Sequence, residues 1–125
     1  MRSFSFRYNI SMKRFPSIRK NTEYQEIYRT APSKATGLLV MYVRDGVQEG
    51  NRLGVSVSKR VGNSVVRHTF VRRMREIFRL NDSQTLKGKD ILIVARNQAG
   101  QVSYDRLNKD YVKLLRYHGI YEELK

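Results

Sequence analysis

An α+β sandwich is the fold class this sequence predicts. Two stretches, 37–43 and 53–57, alternate their side chains with the period of a strand. A third, 91–95, is a short continuous apolar run rich in β-branched residues, the pattern of a central strand. Stretches of helical period precede, separate and follow these strands, and elements segregated in this way pack as helices on one sheet. The order reads α-β-β-α-β-α, with room for one short extra strand, α-β-β-(β)-α-β-α. The 125 residues fit a single domain, and a hydrophobic content of 40% allows a modest core.

The chain starts basic. Its first twenty residues carry six Lys or Arg and no acid, with Phe4, Phe6, Tyr8 and Phe15 interleaved. They lack the continuous apolar segment of a signal peptide. Residues 1–17 are expected to form a flexible basic arm, and 18–125 the folded domain. The arm either meets RNA on binding or is an inert tail. Met12 is a candidate alternative start. A short helix then begins at Asn21 or Thr22. Tyr24, Ile27 and Tyr28 share one face, and Gln25 can close a capping box with Thr22. Pro32 ends it. In the strand 37–43, Leu38, Val40 and Tyr42 lie on one face and Leu39, Met41 and Val43 on the other, so both faces are expected to be covered. The polar loop 44–51 contains two glycines and predicts an antiparallel hairpin with the strand that starts at Leu53.

A polar turn, 59–64, leads from that strand into a helix on which Val66, Phe70, Met74 and Ile77 recur at helical spacing, with Phe78 beside them. Asn63 or Ser64 can cap it. At about 100° per residue, His68, Arg72, Arg75 and Arg79 form one stripe. Arg67 lies near the helix start, and Arg73 projects elsewhere. From Arg52 to Leu80 there are eight Lys or Arg and one acid, Glu76. A solvated helix usually mixes signs so that neighbours pair. A concentration of cations costs self-repulsion unless an anion such as a phosphate backbone is present. After a polar loop, 81–90, come the strand 91–95 and a turn, 97–101. A last helix runs from a Ser103 cap to about His118, with Gly119 placed to end it. Its inner face is Tyr104, Leu107, Tyr111, Leu114 and Leu115.

The stretch 53–80 resembles the signature of the bacterial ribonuclease P protein family. There a GxSVSK strand end passes through a basic turn containing Gly-Asn into an arginine-rich helix. The matching residues are Gly54, Ser56, Val57, Ser58, Lys59, Arg60, Gly62, Asn63, Ser64, Val65, Arg67, Arg72 and Arg75. The chain departs from the pattern at His68, Thr69 and Val71. The resemblance runs from Ile18 to about Tyr117. It implies a small mixed sheet with a left-handed crossover between parallel strands around the basic helix, an exception to the usual hand. It also implies that residues 18–125 are an RNA-binding domain. Lys59, Arg60, Asn63, Arg67, His68, Arg72, Arg73, Arg75 and Arg79 would bind the catalytic RNA subunit. Tyr24, Tyr28, Tyr42 and Ser56 would line a cleft for the single-stranded 5′ leader of precursor tRNA. The active site and its Mg2+ would belong mainly to the RNA, with this chain as the accessory protein of an endoribonuclease.

The residues themselves agree in part. Metal-assisted phosphodiester cleavage needs converging carboxylates, and the eleven acids are scattered along the chain. His68 and His118 are the only histidines, and no phosphate-binding loop or nucleophile elbow occurs. Catalysis is therefore expected outside this polypeptide. His68 can be a phosphate donor near the positive end of its helix, a metal ligand or a bystander. The tyrosines can be ordinary core or a stacking platform for unpaired bases. A net charge of +14 also fits a ribosomal protein or an RNA chaperone. A helix-turn-helix DNA binder fits less well, because a strand and not a helix precedes the basic helix. No apolar run approaches the ~20 residues that span a bilayer. The lack of cysteine fits a reducing cytoplasm, where the protein is expected.

Overall fold

Four strands and three helices make up the fold in a computed structural model, which describes residues 16–123. The strands are β1 (Ser33–Ala35), β2 (Leu39–Asp45), β3 (Arg52–Ser56) and β4 (Lys89–Ala95). The helices are α1 (Asn21–Thr30), α2 (Ser64–Asn81) and α3 (Tyr104–Tyr117), with short 3-10 turns at Asp82–Gln84 and Asn97–Gln101. Of the expected arm, residues 1–15 and the candidate start Met12 lie outside the described residues. At its end, Leu53 N–H donates to Pro16 O and Ile18 N–H to Leu53 O, at 2.8 and 2.9 Å, so the chain covers part of the free edge of β3.

The sheet order is β1-β2-β4-β3. β2 is antiparallel to both of its neighbours, and β3 is parallel to β4, so the sheet is mixed. α2 forms the crossover between the parallel pair. The expected β2–β3 hairpin does not form, because β4 lies between the two strands. Most of β4 is buried, including Ile91, Leu92 and Ile93. Such a strand needs a hydrogen-bonded partner on each edge and apolar cover on each face. The six residues between β2 and β3 easily span the two strand spacings, roughly 10 Å, that admit it.

α2 and α3 cover one face of the sheet. Phe70, Met74, Ile77 and Phe78 of α2 and Leu107, Tyr111, Leu114 and Leu115 of α3 meet Leu39, Met41, Leu53, Ile91 and Ile93. The other face holds a smaller cluster in which Ile27 of α1 packs with Ile18 and Leu92. Along β2, Leu39, Met41 and Val43 are buried, but Val40 and Tyr42 are only half-buried. Full cover of both faces was the expectation. α1, ten residues long with Ile27 as its one buried residue, is too short to roof the whole second face.

Three caps set the helix ends. Asn63 Oδ1 accepts from Val66 N–H at 3.0 Å and starts α2. Ser103 Oγ accepts from Arg106 N–H at 3.2 Å and starts α3. α3 stops where Gly119 N–H donates to Arg116 O and Ile120 N–H to Leu115 O, with Gly119 at φ 73°. That left-handed turn suits glycine, and it tucks Ile120 into the core. At α1 the expected Thr22–Gln25 box gives way to a different pair. The helix begins at Asn21, which places Glu23 in the third helical position, and its Oε1 accepts from Lys20 N–H at 3.5 Å.

Candidate nucleic-acid interface

β3 joins two surfaces. Past its end, Val61 is buried and pins the turn that leads to α2. Val61 N–H donates to Ser58 O at 3.1 Å, and Arg60 N–H to Ser58 Oγ at 3.3 Å. Gly62 and Gly100 leave no room for a Cβ, which would come within 2.7 Å of Val66 in each case. With the backbone held inward, the side chains of Lys59 and Arg60 are exposed.

α2 continues the cationic surface. His68, Arg72 and Arg79 are exposed, and Arg67 and Arg75 are half-buried. The stripe expected from the spacing therefore lies on the side of α2 opposite Phe70, Met74 and Ile77. Not all of its cations are alike. Arg79 pairs with Glu76. Arg73, on another flank, donates to Val102 O at 3.1 Å and holds the 97–101 turn against α2. Asn63 spends its side-chain oxygen on the cap, which leaves its amide NH2 as the donor for a ligand.

The second surface is the partly roofed face of the sheet. Side chains of paired residues stand on the same face, so the strand register defines rows. Ser33, Tyr42, Leu92 and Gly54 form one row, and Ala35, Val40, Val94 and Ser56 form the next. α1 covers the first. Tyr24 lies across Gly54, where a Cβ would come 2.9 Å from its hydroxyl, and that hydroxyl donates to Ile18 O at 3.3 Å. Burial raises the Tyr24 phenol pKa, while the Val55 N–H and the charge of Arg75 oppose the rise. The second row stays open, with Val40, Val94 and Ser56 half-buried. At its border Tyr28, 38% exposed, meets Tyr42 edge to face at 5.3 Å. The result is a trough with an apolar floor and an aromatic wall. Tyr28, Tyr42 and Ser56 border it directly, and Tyr24 lies deeper under the helix. Where β3 and β4 end, Lys59, Arg60 and Arg96 are exposed.

A third row closes the opposite end of the face, and the sequence reading missed it. Arg44, Asp90 and Arg52 stand side by side on β2, β4 and β3. Asp90 is 1% exposed and accepts from Arg52 Nε at 2.8 Å, Arg52 Nη2 at 2.9 Å, Arg44 Nε at 3.1 Å and Gln48 Nε2 at 3.2 Å. Burial alone would raise its pKa; the arginine hydrogen bonds outweigh that and hold the carboxyl below its ordinary range. The same arginines reach α1: Arg52 Nη2 lies 3.2 Å from Glu23 Oε2 and Arg44 Nη1 3.0 Å from Glu26 Oε1. The available signal was an acid pair three residues apart on α1 and a lone acid beside the apolar run at 91–95. Among the described residues no group of three His, Asp or Glu side chains is placed to hold a metal ion, and no helix is long and apolar enough to cross a membrane.

Known proteins are similar to this chain in sequence and in fold. The ribonuclease P protein component of Clostridium botulinum (strain 657 / Type Ba4) is 43% identical over 105 residues, which cover 83% of this chain and 95% of that one. The corresponding protein of Clostridium novyi (strain NT) is 39% identical over 112 residues, 88% of this chain and 99% of that one. The solved Staphylococcus aureus RNase P protein superposes with a TM-score of 0.79 at 31% identity, covering 86% of this chain and 98% of that one. The Thermotoga maritima RNase P protein gives 0.74 at 25% identity, over 81% and 96%. The family model for ribonuclease P matches residues 12–119, and the chain belongs to the bacterial ribonuclease P protein family.

Proposed function

We propose that this chain is the accessory subunit of an RNA-catalysed ribonuclease P that removes the 5′ leader of precursor tRNA. The observation that carries the proposal is that β3 joins a cationic helix to an open aromatic trough. Ser56 borders the trough at the end of β3, and three residues later Lys59 opens the basic turn into α2. A rigid strand thus sets the spacing between a surface suited to folded RNA and one suited to a single strand. On the first, Lys59, Arg60, Arg67, Arg72 and Arg75 present charge to the phosphates of the catalytic RNA, and His68 offers a ring N–H donor beside them. On the second, Tyr28 and Tyr42 offer ring surface to unstacked leader bases without demanding a sequence. Holding the leader favours precursor over mature tRNA.

In this proposal magnesium is held mainly by the RNA, and this chain lowers the amount required by shielding phosphate charge. The protein works in the cytoplasm with two partners, the catalytic RNA and precursor tRNA. Addition of the protein to bacterial ribonuclease P RNA and precursor tRNA at low magnesium tests the reading. Stimulated cleavage at the mature 5′ end is expected. RNA-binding without stimulation would point instead to a general RNA chaperone.

A further inference from the structure

We infer that Glu23 and Glu26 are positioning residues for the leader trough. They act through Arg52 and Arg44 on the buried Asp90. The inference rests on the trough reading given above and adds what sets the trough's shape. α1 carries Tyr28, one side of the aromatic wall, and its apolar hold on the sheet is limited to Ile27, its one fully buried residue, and the half-buried Tyr24 beside it. Two polar legs supply the rest. Arg52 bridges Asp90 to Glu23, and Arg44 bridges Asp90 to Glu26. Glu23 and Glu26 lie three residues apart on one face of the helix. One leg fixes a distance, and two legs also fix rotation about the helix axis. Rotation decides whether Tyr28 stands against Tyr42 or swings away. Asp90 is a rigid base for both legs, buried in the central strand and held by four donors.

The glutamates are the informative positions, because Asp90 keeps both arginines when they change. Glu23→Gln/Glu26→Gln should therefore fold and bind the catalytic RNA as the parent does. In the reconstituted holoenzyme the variant should bind precursor tRNA at least about fivefold more weakly, the lower end of losing one base stack. Affinity for mature tRNA should stay unchanged. Amide hydrogen exchange of the free protein should be faster across α1 and unaltered in β4. Tyr28→Ala, measured in parallel, separates the two levels of the argument. A normal leader preference in the glutamate variant, beside a lost one in Tyr28→Ala, overturns the positioning role and leaves the trough standing. A normal preference in both overturns the trough and the positioning role with it. Equal weakening toward precursor and mature tRNA also overturns the inference, because it would mark a general structural defect.

Discussion

Tyr28 and Tyr24 are four residues apart on one short helix, yet they differ in what removing them should do. Tyr28 is 38% exposed and touches Tyr42 by its ring edge. Tyr28→Ala is expected to cost under about 1.5 kcal/mol of stability, the upper range of one aromatic pair. It should cost about 1–3 kcal/mol of precursor affinity for each base that stacked on it. Melting curves and binding of precursor and mature tRNA check both numbers, and an unchanged leader preference with a large fall in Tm would mark Tyr28 as core. Tyr24 depends on Gly54. Gly54→Ala places a methyl 2.9 Å from the Tyr24 hydroxyl and 3.2 Å from Leu92, so about 1–3 kcal/mol of destabilisation is expected in urea unfolding, as in an overpacked core. A variant as stable as the parent would show that Tyr24 can retreat freely. His118 gives a pH dependence. Its Nε2–H donates to Met41 O at 2.9 Å, and burial holds its pKa below the ordinary 6.5. The folded state then binds fewer protons than the unfolded one as that range is crossed. The contribution is full above 6.5 and is lost as pH falls below it. Stability should decline on acidification through this window, and His118→Gln should flatten the decline.

At the scale of elements, α2 was legible because its information is local. A 3.6-residue period, one capping residue and a run of cations within 18 residues placed its buried face, its start and its charged stripe. α3 was legible for the same reason, down to Ser103 and Gly119. The sheet was not. The short loop between β2 and β3 favours a hairpin on local grounds, and only the burial of β4 forces the strands apart. The bracket on α1 escaped for a related reason. Arg52 and Asp90 are 38 positions apart, and Arg44 and Asp90 are 46 apart; their contact exists only once the strand order is known. Such a contact leaves no periodic trace. The α2 stripe yields a quantitative expectation. Replacing Arg72 and Arg75 together by Ala should weaken binding to the catalytic RNA and flatten its salt dependence. By extension of the duplex DNA relation, about one condensed counterion is lost per phosphate contact removed. Titration over a range of monovalent salt measures the slope, and a slope equal to the parent's means the stripe does not face RNA.

At the scale of the whole molecule, charge is sorted as well as abundant. The chain carries +14, and several of its acids serve as internal fasteners. Glu23, Glu26 and Asp90 hold α1, Asp45 pairs with Lys89, and Asp82 pairs with Lys87, all toward one end of the sheet. The cations of the 59–60 turn and Arg96 lie at the other end, and those of α2 lie along its outer face. In the proposed function a surface organised this way opposes phosphate repulsion where RNA strands converge, which is also what magnesium does for the RNA. The two should therefore substitute for one another in part. The expected outcome is that the protein lowers the magnesium concentration at half-maximal 5′ cleavage, with the largest stimulation at low magnesium and little at saturation. Monovalent salt should erode the stimulation, because surface charge is screened within about 8–10 Å near physiological ionic strength. The Arg72→Ala/Arg75→Ala variant should move the magnesium midpoint back toward that of the RNA alone, while Tyr28→Ala should leave it in place and alter only precursor affinity. Cleavage rates across a magnesium series, with and without each protein, decide the matter. An identical midpoint in the presence and absence of protein would remove charge shielding from the mechanism, and cleavage by the protein with magnesium but no catalytic RNA would place the chemistry in this chain after all.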